Sequence, residues 1–298
     1  MRYEMENLLF RYRGGDENAI GAFDDDRLYF SSLDYFNDPF DSLAYVNKEK
    51  LIKSIAFDID IDNRMREHIL MVVDQLYSPV TSYNKSQIYE ISKNEEFREI
   101  FFKDVLEKTE YLKGEITRNC KVICFSENCL SNLMWAHYAN YHKGFVLGYA
   151  QDDIFEAKIF DENNMIVKKE KVLKKIKYSN YMVDTYNFAY KVLPIGGEIE
   201  LDANCILQTM LITKMSEWSY EQEWRVCSLP NNIYIMDPAH YISIVPKCVI
   251  FGARMSKLDR EKLLKLAKKK KLDVFDVGCD SSGNQYKLKL SSVFSYCG

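Results

Sequence analysis

Lys214-Met215-Ser216-Glu217-Trp218-Ser219-Tyr220-Glu221-Gln222-Glu223-Trp224-Arg225 is the stretch on which the reading of this chain turns. Five charged side chains, two indoles and a phenol fall within its twelve residues. Met215, Trp218 and Gln222 recur at helical spacing, whereas Glu221, Glu223 and Arg225 recur every second residue. A period of two puts those three on one face of a strand, so the change from helix to strand is expected near Ser219. A helix that ends as a strand begins aims polar side chains into a cleft. The ordinary alternative is a solvated Glu/Arg pair on an edge strand, which contributes little. The adjoining tryptophans weigh toward a site without naming its chemistry.

Outward from this stretch the chain alternates short apolar runs with turns. Leu8 to Arg13 reads as a strand closing on Gly14-Gly15, and Arg27 to Ser31 as a second. Lys121 to Phe125 is a buried strand ending at Ser126, and Gly144 to Tyr149 is the next. Between them Ser131 is placed to cap a short helix carrying Trp135, His137 and Tyr138. Further strands are expected at Ile233 to Met236, Tyr241 to Val245, Cys248 to Phe251, Asp273 to Val277 and Tyr286 to Val293.

From about Lys48 to Leu112 the period becomes helical. Ile69, Val72, Val73 and Leu76 form a stripe, and a second helix runs from about Asn94. Ile199 to Trp218 reads as a long helix, and Lys257 to Leu272 as an amphipathic one. Its terminal Lys268-Lys269-Lys270-Lys271 run suits the helix dipole. The expectation is one α+β domain over 1–298, with a mixed or antiparallel sheet core and a helical insertion at about 48–112.

Composition narrows the class. With 298 residues, 47% hydrophobic and 28% charged, the chain has the make-up of a globular protein with a sizeable core. A net charge of -4 gives no global pull toward nucleic acid or anionic membrane. The 8 cysteines include no Cys-x-x-Cys pair, and Cys120, Cys124 and Cys129 fit no zinc template, so free thiols are expected. No stretch approaches the ~18 apolar residues of a membrane span, and a reducing cytoplasmic setting is expected.

Chemistry-bearing residues are few. His137 lies between Trp135 and Tyr138 just after a strand end, where an imidazole can donate a hydrogen bond or act as acid or base. Asn37-Asp38-Pro39-Phe40-Asp41 is a turn that can brace a pocket wall. Dinucleotide-binding, phosphate-loop, nucleophile-elbow and His-Glu-x-x-His motifs are all missing from the sequence.

Four pieces in order resemble the bacterial domain-of-unknown-function family 2971. They are Ser31 through Asp41; Cys124-Phe125-Ser126 with Trp135-Ala136-His137-Tyr138 and Gly144; Lys214 and Trp218 with Tyr220 to Arg225; and Val249-Ile250-Phe251-Gly252. The resemblance spans about residues 8–255 and implies no particular activity. A remoter one looks like ADP-ribosyltransferases of the Arg-Ser-Glu type. In those enzymes an arginine holds NAD phosphate, a serine braces the nicotinamide side, and the last glutamate bonds the ribose. That resemblance implies NAD as substrate, Arg11 or Arg13 on phosphate, and Ser126, Trp135, Tyr138, Asn37 and Asp38 about the dinucleotide. Glu223, Glu221 and His137 would be catalytic. Ser126 departs from the pattern, since no Thr-Ser follows it, and Trp224-Arg225 belong to the first family's pattern.

Two classes of function stay open. One is an NAD-consuming transferase, a toxin or phage-defence effector that modifies a protein or nucleic acid and is held by a cognate antitoxin or regulator. The other is a non-catalytic sensor or partner-binding module. Among other enzymes, a magnesium nuclease would use Asp38, Asp41, Glu221 and Glu223 as ligands.

Overall fold

The computed structural model describes residues 5–42, 44–50, 90–91, 93–168, 171–184, 209–228 and 236–296. The fold is α+β. Chain contacts divide it into two compact units. One comprises Met1–Tyr35, Asn119–Tyr178 and Ser216–Gly298, and the other Phe36–Arg118 and Ser179–Met215. The segment expected as an insertion falls within the second unit, which also takes in Ser179–Met215. The stripe from Ile69 to Leu76, the strand residues 233–235 and the start of the helix expected from Ile199 lie outside the described residues.

The first unit is built on a nine-stranded sheet. In chain order its strands are Leu8–Arg13 (β1), Ser31–Ser32 (β2), Lys121–Ser126 (β3), Phe145–Ala150 (β4), Lys171–Lys175 (β5), Glu223–Ser228 (β6), Cys248–Phe251 (β7), Asp273–Cys279 (β8) and Leu288–Phe294 (β9). Across the sheet they run β9-β8-β7-β4-β1-β3-β6-β5, with β2 beside β3. The β7–β8 pair is parallel and the other ladders are antiparallel. The described helices are Glu17–Asp24 (α1), Glu95–Asn119 (α2, chiefly in the second unit), Asn132–Tyr138 (α3), Gln151–Glu156 (α4) and Lys257–Lys269 (α5). A separate four-stranded sheet of the first unit orders Arg27–Tyr29, Tyr241–Ser243, Ile159–Phe160 and Ile166–Val167.

Both faces of the sheet's central strands are buried, which is why β1, β3, β4 and β7 read as nearly continuous apolar runs. Leu9, Ile123, Phe125, Leu147, Tyr149, Val226, Val249 and Phe251 pack with Phe23 of α1 and Leu263 and Ala267 of α5. On the opposite face Leu8, Phe10, Tyr12, Val146 and Ile250 pack with Met134 and Trp135 of α3. Each fully buried large side chain contributes about 1.5–3 kcal/mol, so two layers of this size hold the sheet firmly.

The sheet parts at one seam. β1 and β4 pair in register along six residues, from Leu8↔Ala150 to Arg13↔Phe145. On its other side β1 meets β3 only at Phe10↔Ser126. Beyond that point the Arg11 guanidinium takes the place of a ladder bond, donating from Nη1 to the Cys124 carbonyl at 2.6 Å. Glycine closes the neighbouring turn: a Cβ on Gly144 would stand 2.0 Å from the Arg13 carbonyl oxygen, so no other residue fits.

The second unit holds the parallel pair Ala44–Tyr45 and Val183–Asp184, and Phe97, Phe101 and Val105 of α2 are buried. In its Asn37-Asp38-Pro39 turn the Asp38 carboxylate accepts from the Phe40 amide at 2.9 Å. Asp41 faces Lys214 at 3.6 Å with both side chains buried.

Candidate functional site

The deciding stretch changes period three residues later than its spacing suggests. The helix expected to run from Ile199 to Trp218 does not reach that far: Thr213–Met215 is a short strand, Ser216–Glu221 is a 3-10 helix, and β6 begins at Glu223. Between them Gln222 is left-handed, with φ of 45°. Glu221 is therefore not a strand residue, and the expected shared face reduces to Glu223 and Arg225. The corner is held by the buried Ser126 hydroxyl, which donates to the Glu221 carbonyl at 2.6 Å and accepts from the Asn128 amide at 3.1 Å. That contact joins positions 95 apart in sequence, so no local periodicity carries it.

Glu223 and Arg225 form a bidentate pair: Nε donates to Oε1 at 2.7 Å and Nη2 to Oε2 at 3.1 Å. Arg225 is fully buried and Glu223 nearly so. Two charges taken from water here depend on each other, because either one alone would be buried without compensation. The Glu223 amide donates to the Tyr178 hydroxyl at 2.8 Å. Register sets Glu223 opposite Ser126 and Arg225 opposite Cys124. Burial and then the Glu223 charge push the Cys124 thiol far above its usual range. That shift favours the protonated thiol beside the pair.

Glu221 has its own partner. The Tyr138 hydroxyl on α3 donates to Glu221 Oε1 at 2.5 Å, and the Glu221 side chain is buried. The two carboxylates are thereby held by different groups, one by a guanidinium and one by a phenol. His137, next to Tyr138, is exposed and flanked by the Tyr138 and Tyr220 rings, each with its centroid 6.3 Å away. Trp218 adjoins Tyr220 at 6.0 Å, so the corner presents a half-exposed aromatic rim.

Arg11 and Arg13 alternate with Phe10 and Tyr12, and they pair in register with Leu147 and Phe145 of the helix-covered face. Their side chains leave the sheet opposite to Glu223 and Arg225. Arg11 turns back into the seam, where its Nη1 reaches the Cys124 carbonyl. Its Nε is buried without a hydrogen-bond partner. Arg13 is brought down to about 10, first by burial and then by the Arg11 charge. Among the described residues neither guanidinium has a carboxylate within ion-pair distance, although the Asp16 charge partly offsets the lowering at Arg13.

Trp135 is a correction. The indole is completely buried, donating to the Cys129 carbonyl at 2.8 Å and lying between Tyr12 and His142. A stacking role on a ligand has no exposed ring face to act through. Its pairing with His142 helps hold Asn140, Tyr141 and His142 in three consecutive left-handed conformations, a costly turn that only tight packing sustains. Asn37 and Asp38 lie in the second compact unit. Tyr178 and Cys124 are neighbours that sequence reasoning missed; the register of β3 with β6 is what brings Cys124 in.

Among the described residues no group of three or more His, Cys, Asp or Glu side chains is placed to hold a metal ion. No described helix is long and apolar enough to cross a membrane. Cys120, Cys124 and Cys129 are free thiols.

Residues 134–226, from α3 to the middle of β6, match the family described as protein of unknown function (DUF2971). The pieces before Met134 and after Val226 that resemble this family lie outside the matched range. No curated protein and no solved structure matches the chain.

Proposed function

We propose that the chain is an ADP-ribosyltransferase-like enzyme that consumes NAD and modifies a protein or nucleic-acid acceptor. One observation carries the reading. β1, β3 and β6 come from distant parts of the chain yet stand side by side, with Phe10, Ser126 and Glu223 in one register row. These are the strands that carry the arginines, the serine and the last glutamate, Glu223, of the resemblance. Two partly buried guanidiniums with no carboxylate at ion-pair distance among the described residues suit an anionic phosphate group, which a planar fork grips well.

The chemistry follows from the charges. Breaking the bond between nicotinamide and ribose sends the electron pair to nicotinamide, which leaves neutral, and builds positive charge on the ribose C1′. Glu223, oriented by Arg225, supplies the fixed negative charge that stabilises it. An acceptor nucleophile then bonds to C1′ and gives its proton to Glu221, whose carboxylate the Tyr138 hydroxyl positions. Tyr138 and Tyr220 offer ring surface in place of Trp135. Loss of NAD by this route suits a toxin or phage-defence effector that a partner keeps in check.

The test is nicotinamide release from NAD by the purified protein, with the melting temperature followed alongside. Glu223→Gln should lose most turnover; Glu221→Gln should lose less or change acceptor choice. Folded wild-type protein that binds NAD without releasing nicotinamide would overturn the enzyme reading. It would leave a ligand-binding module, which the full engagement of Glu223 by Arg225 favours. Absence of both binding and turnover would remove NAD altogether.

A further inference from the structure

We infer that the first unit carries a docking groove for an acidic protein segment bearing apolar side chains, at a site separate from the glutamates. A concavity of about 540 Å³ opens between α4 and the outer strand Ile166–Val167 of the four-stranded sheet. Its floor includes the buried Ile159, and its rim carries Phe155 and Ile166, 66% and 53% exposed. Met165, beside it in the chain, is 65% exposed. Isolated apolar residues on a surface are ordinary, but two large ones on the rim of one concavity, with a third next to it in the chain, mark a contact surface.

Charge identifies the occupant. Lys158, Lys168 and Lys171 line the same groove, and Glu156 is the acidic residue among the lining side chains. None of the three lysines has a carboxylate within ion-pair distance among the described residues. Other lysines of this unit do: Lys175 with Glu127, Lys247 with Asp153, and Lys270 with Asp26. Lys171 donates to the Ala157 carbonyl, and burial lowers its pKa with no acid acting to restore it. Three unmatched cations beside aliphatic and phenyl surface, on a chain of net charge -4, complement a segment that alternates acids with apolar residues. Single-stranded nucleic acid is the weaker fit, because it needs stacking rings interleaved with the cations, and this rim offers one phenyl and two aliphatic side chains.

A synthetic peptide alternating aspartate with leucine, labelled for fluorescence anisotropy, probes the groove on the full chain. Peptides alternating aspartate with serine and lysine with leucine, together with a single-stranded RNA, are the controls. The aspartate–leucine peptide should bind best. Its affinity should fall about tenfold in Phe155→Ser, as for an aromatic side chain that the docked segment covers. It should fall further in Lys158→Glu/Lys168→Glu, and weaken as salt rises. All three side chains are exposed, so these variants should keep the wild-type melting temperature, measured on the same samples. Equal binding of the aspartate–serine peptide, preference for RNA, or indifference to both variants would each overturn the groove. NAD turnover enters none of these readouts, so the two proposals fail independently.

Discussion

Glu223 and Arg225 on β6, and Arg11 and Arg13 on β1, share one geometry and differ in sign. Each pair is spaced two residues apart, on strands separated only by β3. On β6 the charges are opposite and cancel through a bidentate contact, completed inside the protein. On β1 they are alike, and burial with mutual repulsion brings Arg13 down to about 10. A matched pair stabilises the fold on its own terms. Two like charges with no carboxylate at ion-pair distance among the described residues cost stability, a cost that the phosphate of the proposed function would relieve.

The comparison breaks first at Arg225. Arg225→Met should strand the Glu223 carboxylate and cost about 3–5 kcal/mol, read from urea denaturation. Replacing both, Glu223→Leu with Arg225→Met, should recover most of that loss, because an apolar pair of similar volume needs no partner. A single variant that costs no more than a surface change would show that the pair is not a buried unit.

Tyr138→Phe comes next. It removes the half-buried phenol that bonds the buried Glu221 carboxylate, a loss of about 1.5–3 kcal/mol for a hydrogen bond to a charged group. If Glu221 takes the acceptor's proton, the same variant should shift the pH dependence of turnover while leaving NAD affinity nearly unchanged.

Arg13→Met should move stability the other way. Removing one of two like charges should raise the ligand-free melting temperature, by about 2–4 °C for each kcal/mol relieved in a chain of this size. The sign with pH follows from the depressed pKa. The folded chain gives up the Arg13 proton near 10 and the unfolded chain near 12.5, so the cost is fully present at neutral pH. It is relieved as pH rises through that window. Protection of the protein by inorganic pyrophosphate should be lost in the same variant. A melting temperature that falls would mean that the Arg13 stem packs more than its charge repels.

His137→Ala should be the smallest. The ring is exposed, so folding should change by less than about 0.5 kcal/mol, and any larger loss of turnover would mark His137 as a contact to substrate.

Several features were legible before any coordinates. The strands at Leu8–Arg13, Lys121–Ser126, Phe145–Ala150 and Glu223–Ser228 follow from short β-rich apolar runs bounded by turn residues, and all four join one sheet. The Ser131 cap before Trp135 is local chemistry, and its hydroxyl does accept from the Met134 amide at 3.3 Å. Alternation alone put Glu223 and Arg225 on one face. It also misled: Glu221 keeps the same spacing but sits beyond the left-handed Gln222, a backbone state that sequence spacing does not register.

What the sequence determined by itself is whatever depends on neighbours along the chain. That covers the α+β class, most strand positions, helix caps, the Glu223–Arg225 pairing and the family resemblance. Tertiary structure decided everything that depends on which strands lie side by side. Strand order set Ser126 against Glu223 and Cys124 against Arg225, α3 brought the Tyr138 hydroxyl to Glu221, and packing of α3 on one sheet face buried Trp135. The physical reason is range. Propensity, capping and alternation act over a few residues, whereas burial and charge compensation are summed over groups that only the fold brings together.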